Sequence, residues 1–526
     1  MNNNQYIYNQ PQMSPGTLPQ VPMQNRSIPH TWKERLLNGG SIRPLTKLVE
    51  RSVPNWIVGK SIVFFFVAFV ACILVYGYPM DVRDVLITSI SVVLFFYGGH
   101  TLSKSWALKK ERNFTQRVFL AGLLVRLLWV LYCYFIFNPN YWGNTIGDPA
   151  DTEWYMEFAQ DLSQWLVGDS KYPLSKIMKI NGSAIDDAGY PMWLAVGYVI
   201  WGEWSDALFP MIIKCIVGAY CAVCIYNVAK RHFGEGAARM AALFVALNPN
   251  MIYWCGTMFK EIEMVFLCCL SVDEIDKTLT SQKQLSFRSL LPGLLAASAL
   301  FFFRAALAAV MFLAVGAHIV MASSRVMSIG KKVLAGVLVA TALLVGIGDN
   351  LRTQTESMME RAQSDSQKTN MEWRSRREGG NEFAKYAGAA VFAPLIFTIP
   401  FPTFNVALES HILQRQLSGG SYIKNVFSFF VIWVMIVMLI TGEWRKHVFI
   451  IAYTGGYLVS LVLSEFAQSG RFHMPVWPML MLFAAYGIQI AKSNSKLKRW
   501  YTLVLVLEVF VCLAWNWFKL AGRGMV

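Results

Sequence analysis

The sequence predicts an all-α polytopic membrane protein of about 13 transmembrane helices, with extracytoplasmic loops and re-entrant or juxtamembrane helices between them. Three observations predict it. Apolar residues make up 55% of the 526 residues and charged residues 15%, more apolar surface than a soluble core of that length could hide. Mean hydropathy is +0.40. Apolar runs such as Ser61 to Tyr76, Val333 to Gly348, Val426 to Ile440 and Tyr501 to Phe518 recur along the chain, each close to the length that crosses a hydrocarbon layer.

The spans are expected near 61–78, 84–99, 118–137, 207–228, 237–254, 258–272, 289–303, 305–321, 333–348, 425–441, 448–464, 475–491 and 500–518. With the N-terminus in the cytoplasm, the inner segments then carry a large basic excess and the outer segments a small acidic one, as the positive-inside rule requires. The formal charge of +15 is thereby explained without a nucleic-acid partner. Two apolar stretches are left out of the span count. Tyr190 to Trp201 is short, and Ala389 to Phe404 carries Pro394, Pro400 and Pro402, so both read as re-entrant or interface-lying helices. Making the second a span would carry Arg445, Lys446 and the cluster Lys492, Lys496, Lys498 and Arg499 to the outer face, against the charge rule.

The chain divides accordingly. Residues 1–55 form a disordered, basic cytoplasmic tail, with no apolar core for a cleavable signal peptide. Residues 56–116 hold two accessory spans. Residues 117–348 form the transmembrane core, with an acidic outer loop at 138–189 holding eight acids against three lysines. Residues 349–423 form an outer loop and re-entrant helix, and 424–526 the C-terminal spans. The nine cysteines give no disulfide or metal framework, since most lie inside apolar helices and the Cys221-to-Cys224 pair sits mid-span. No internal repeat is visible, which weakens a transporter built from inverted repeats.

Ionisable side chains at membrane depth cost free energy and are therefore structural pairs or functional groups. Arg126, Lys214 and Glu508 fall inside spans. Arg304 separates two apolar runs flanked by basic residues, which makes it the outer tip of a hairpin. The same topology puts Lys260, Glu261 and Glu263 at the outer end of one span, and Arg471, Phe472 and His473 just outside another. In the acidic loop, Asp148 and Asp151 flank Pro149 and precede an amphipathic helix carrying Tyr155, Phe158, Ala159 and Leu162 on one side. Two carboxylates so spaced suit a general base or a divalent cation such as Mg or Mn; the plainer reading is a solvated N-cap. A phosphate leaving group needs cations, because charge develops on its oxygens as the bond breaks. Arg304, Lys260 and Arg471 are available at that depth.

Arg126 in a span, the loop Gly147-Asp148 to Asp151 and Tyr155, and Gly189-Tyr190-Pro191 leading Trp193 to Gly202 form a set. It resembles the polyprenyl-phosphate-sugar-dependent membrane glycosyltransferases of the C-type fold. Tyr226 to Lys230, Phe233-Gly234, Ala237 to Ala246, Asn248-Pro249, Tyr253 and Lys260-Glu261 are similar to the protein mannosyltransferase and lipid A aminoarabinose transferase group. So are Arg471-Phe472-His473-Met474-Pro475, Pro478 and Ala484 to Ile488. The resemblance covers about residues 115 to 490, with two additional spans before it. It implies an inverting transferase at the extracytoplasmic face of a bacterial inner (cell) membrane, moving a sugar from a polyprenyl-phosphate donor to a glycan, lipid or protein acceptor among the membrane lipids. Asp148 or Asp151 would be the catalytic acid-base group and Glu261 a second acid. Lys260, Arg304, Arg471 and His473 would meet the donor phosphate. Two other readings share parts of this pattern: an O-antigen-type polymerase or ligase using Arg374, Arg376 and Arg377, and a lipid-linked sugar flippase or transporter using Arg126, Lys214 and Glu508.

Overall fold

A computed structural model describes residues 46–76, 82–137, 149–181, 187–201, 207–281, 287–321, 418–463 and 471–521. Among them every regular element is helical. After a single helical turn at Lys47–Arg51, the helices in chain order are α1 (Asn55–Tyr76), α2 (Val82–Val93, running through a π turn at Leu94–Gly98 into Gly99–Trp106), α3 (Glu111–Tyr132), α4 (Pro149–Val167), α5 (Leu174–Ile180) and α6 (Gly189–Trp201). There follow α7 (Leu208–Ala246), α8 (Pro249–Tyr253), α9 (Glu261–Leu279), α10 (Phe287–Ala299) and α11 (Ala305–Met321). The last four are α12 (Ser418–Thr441), α13 (Val448–Leu463), α14 (Trp477–Ser493) and α15 (Ser495–Ala521).

Among the described residues, six helical stretches are long and apolar enough to cross a membrane, and Arg288–Phe302, Ala305–Met321 and Val448–Leu461 are shorter apolar helices. The chain is therefore a multi-pass, all-α protein, while the expected count of about 13 spans is not reached by these residues. The expected span at 333–348, the loop at 349–386 and the Pro-rich stretch at 389–404 lie outside the described residues.

Helix α7 is the centre of the bundle, packed against α3, α9 and α14, while α12 lies on α14, α11 on α13 and α15 on α1. Sequence periodicity predicts two spans at 207–228 and 237–254, and the helical stretch from Leu208 to Ala246 is two helices meeting at a kink between them, at Gly234, where φ is 80° and ψ 178°. That backbone conformation is open to glycine and closed to side chains with a Cβ. Helix α7 then stops at Leu247. Asn248 caps the short α8 by accepting hydrogen bonds from the Asn250 and Met251 amides at 3.1 and 3.2 Å, with Pro249 in the first position where no amide is needed.

Helix α6 spans 13 residues, about 20 Å, too short to cross alone. Tyr190, Leu194 and Ala195 are buried, whereas Val196, Val199, Ile200 and Trp201 are exposed, an apolar outer face suited to the interface. Its inner face packs on α4. Its start is pinned by Gly189, where a Cβ would lie 2.7 Å from the Phe302 carbonyl oxygen. The turn that precedes Arg304 and the beginning of α6 are thus in backbone contact.

Candidate functional site

A group of buried charges gathers on the N-terminal turn of α9. The chain reaches that turn through a 3₁₀ turn at Trp254–Gly256 and an extended Thr257. Lys214 of α7, fully buried, holds this approach: its ammonium donates to the Thr257 carbonyl at 2.7 Å and to the Phe259 carbonyl, and lies 3.8 Å from Glu263. The same ammonium stands 4.8 Å from the ring centre of Tyr190 on α6. A buried lysine spent on loop carbonyls fixes where Lys260 and Glu261 emerge.

Lys260 donates to the Phe303 carbonyl at 2.9 Å and pairs with Asp187, just before α6. It therefore ties the α10–α11 tip to the segment leading into α6. Arg304 at that tip donates to the Tyr457 hydroxyl at 2.9 Å, and its guanidinium lies 4.4 Å from the ring centre of Phe472. Tyr457 in turn donates to the Phe472 carbonyl at 3.0 Å. Arg471 pairs with Glu261 and stacks 4.3 Å from the ring centre of Phe259. Two guanidiniums from separate segments of the chain thus lie over aromatic rings, beside a lysine and a buried carboxylate.

Of the residues expected from the sequence, Lys260, Glu261, Arg304 and Arg471 fall in this connected set, and His473 follows Arg471 by two positions and contacts Lys424 of α12. Asp148 lies outside the described residues. Asp151 is in the first turn of α4, one turn before Tyr155, whose ring meets that of Tyr190 edge-on at 5.1 Å. The head of α4 therefore borders the group through Tyr155 and Tyr190. Among the described residues, no three His, Cys, Asp or Glu side chains converge as a metal site.

Two further participants went unassigned in the sequence reading. Glu263, buried two positions beyond Glu261, has no hydrogen-bond partner on either carboxylate oxygen. Burying a carboxylate in that state is costly, so its position beside Lys214 is maintained by the fold. Its signal was present in the acidic first turn of α9, where the helix dipole favours negative charge. Lys424 of α12 is also buried; its ammonium contacts the His473 imidazole and lies 5.7 Å from the ring centre of Trp477. Nothing local distinguishes Lys424 in sequence, because the contact joins α12 to a segment far along the chain.

Arg126, one of the two expected in-span cations, has a different task. Its guanidinium donates to the carbonyls of Ala246 at 2.7 Å, Gly122 at 3.0 Å and Val245 at 3.3 Å. It closes the C-terminal turn of α7, whose carbonyls have no helical partner. Gly218 and Gly122 make room, since a Cβ at either would come within 3.1 or 3.2 Å of the guanidine nitrogens.

Against this geometry, residues 156–349 match the model of the Alg9-like mannosyltransferase family. That segment contains α6, Lys214, the head of α9 and Arg304, which are the centre of the cluster. No curated protein and no solved structure matches the chain significantly. The family match indicates a glycosyltransferase, and the apolar helices around it place that activity in a multi-pass membrane protein.

Proposed function

We propose that the chain transfers a sugar from a polyprenyl-phosphate donor to an envelope acceptor, a glycan, lipid or protein, with inversion at the anomeric carbon. The observation that carries the reading is the convergence of Lys260, Arg304 and Arg471 from three separate elements onto the head of α9, inside and beside the segment similar to mannosyltransferases.

The donor phosphate binds among these three cations, with His473 and Lys424 behind them, and its isoprenoid tail runs along the apolar helix surfaces. The acceptor hydroxyl attacks the anomeric carbon from the face opposite the phosphate. Asp148 or Asp151, at the chain's entry into α4, takes the hydroxyl proton. The carbon–oxygen bond to phosphate breaks, its electron pair passes to the phosphate oxygen, and the lipid phosphate leaves with one more negative charge. That new charge is what the two guanidiniums and the lysine stabilise. Glu261 keeps Arg471 at its station, and Glu263 presents unbonded carboxylate oxygens to the same region. A divalent cation would have to be held by Asp148 and Asp151. The site faces the extracytoplasmic side of a bacterial inner membrane, following the charge distribution.

The test is a deletion strain complemented with wild type or with the Asp148→Ala/Asp151→Ala double variant. Lipid-linked sugar should accumulate in the deletion and in the double variant and disappear with wild type. Normal surface glycan in the double variant would refute the assignment of the acids. Accumulation confined to the cytoplasmic leaflet would indicate a translocator instead.

A further inference from the structure

The cytoplasmic-type basic ends of α1 and α15 carry a second cationic group, remote from the α9 cluster in chain position and packing. Trp56, at the start of α1, has the Lys60 ammonium 5.6 Å and the Lys498 ammonium 5.7 Å from its ring centre. Its ring is wedged against Tyr501 at 5.8 Å and Phe430 at 6.3 Å, and the Tyr501 hydroxyl is 3.1 Å from Ser61. The platform is therefore fixed on three helices. Lys60 donates to the Lys498 carbonyl at 3.0 Å and to the Thr502 hydroxyl, and Lys498 donates to the Lys492 carbonyl at 3.0 Å.

These contacts hold two like charges around one ring, with no carboxylate among the described residues paired to either ammonium. Like charges confined this way repel, and an anion between them converts that repulsion into attraction. Each ammonium retains donor capacity beyond its carbonyl and hydroxyl contacts. Arg499 and Lys496 stand exposed beside them. Past the charged end, the outward faces turn apolar: Val63, Val67 and Val70 on α1, Leu503 and Leu507 on α15 are all exposed.

We propose that this end of α1 and α15 binds the phosphate of an anionic phospholipid, whose acyl chains lie along the Val63–Val67–Val70 and Leu503–Leu507 columns. The apolar columns are what favour a lipid over free phosphate. That no carboxylate among the described residues pairs with Lys60 or Lys498 favours an acidic headgroup over a zwitterionic one, whose own cation would meet Lys60, Lys498 and Arg499. The inference is independent of the glycosyl-transfer reading.

The experiment titrates the full chain in detergent micelles with dioleoyl phosphatidylglycerol, dioleoyl phosphatidylcholine or inorganic phosphate, reading retained lipid by native mass spectrometry and the shift in Tm. Wild type should bind phosphatidylglycerol at least fivefold more tightly than phosphatidylcholine. The K60Q/K498Q variant should lose fivefold or more of the phosphatidylglycerol affinity, whereas K498R, which keeps the charge, and K104Q, an exposed lysine at the end of α2, should bind as wild type does. Should the double variant not fold, the preference of wild type and the behaviour of K498Q alone decide. Equal binding of the two lipids by wild type, undiminished binding by K60Q/K498Q or by K498Q, or a Tm shift with inorganic phosphate as large as with phosphatidylglycerol would each overturn the proposal.

Discussion

The charged side chains at membrane depth are satisfied in different ways, and each predicts a different phenotype. Arg126 serves the last carbonyls of α7, those of Val245 and Ala246, which no helical amide reaches, so Arg126→Ala leaves the end of α7 unpaired in the core. The expected loss is about 3 kcal/mol, read as a lower Tm of the detergent-solubilised protein, with Arg126→Lys recovering part of it. Arg304 and Arg471, by contrast, rest on aromatic faces at the rim of the α9 head. Arg304→Ala should lower transfer by about 10² to 10³-fold, while Arg304→Lys, which keeps charge but loses the planar fork, recovers only part. Initial rates with a polyprenyl-phosphate sugar check both. An Arg304→Ala protein with wild-type kcat and KM would remove Arg304 from the phosphate site. Arg126 and Arg304 were equally visible in the sequence as isolated cations among apolar residues. Their roles were not, because the role of a guanidinium depends on whether carbonyls or open space surround it. The carbonyls around Arg126 come from Val245 and Ala246, far away in the chain.

At the scale of elements, the hairpin tip at Arg304 was legible because a single charge divides two apolar runs, and the chain there does turn between α10 and α11. The break between the spans expected at 207–228 and 237–254 was legible too, and falls at Gly234, just after Lys230, Arg231 and His232. They remain helical since their charges are met by distant partners: Arg231 donates to Asp273 and Asp276 at 2.7 Å, and His232 contacts Asp276 at 2.7 Å and His447 at 2.7 Å. This network gives a pH dependence. Burial, together with the neighbouring His232 and Lys446, lowers the His447 pKa from 6.5 to about 3. Burial alone would raise the Asp276 carboxyl, but hydrogen bonding and charge from His232 and Arg231 hold it below its usual value of 3.8. The unfolded chain therefore protonates its histidine near 6.5 while the folded chain does not until about 3, so stability falls as pH drops through that window. The slope for one proton is at most about 1.4 kcal/mol per pH unit. Stabilisation by Asp276 is present above 3.8 and is lost as pH falls through its lowered folded value. Tm measured from pH 7.5 to 4.5 should decline, and His447→Gln should flatten the decline between 6.5 and 4.5. A decline as steep in His447→Gln as in wild type would remove this residue as its source. Gly189→Ala belongs to the same scale: its Cβ would meet the Phe302 backbone, so α6 must shift from the tip. Overpacking there should cost about 1 to 3 kcal/mol and reduce transfer further by displacing Asp187 and, through it, Lys260.

For the whole molecule, charge asymmetry predicts an orientation, and that orientation decides which leaflet supplies the donor. Lys109 lies between α2 and α3, where Arg239 draws in the carbonyls of Trp106, Ala107 and Lys109 at 2.8, 3.2 and 2.7 Å. Asp169 follows α4, which packs on α6 and so belongs to the end of the bundle that carries Lys260, Glu261 and Arg471. The two positions are both exposed. All nine native cysteines are buried, so a single introduced thiol supplies the labelling signal. A membrane-impermeant maleimide should label Asp169→Cys in intact cells, and Lys109→Cys only after the membrane is opened. The reverse pattern would put the α9 head in the cytosol, where the Lys260–Arg304–Arg471 group could meet only a donor on the inner leaflet. In that event the excess of Lys and Arg would lie outside, and the positive-inside argument would fail for this chain even if the transferase chemistry stood.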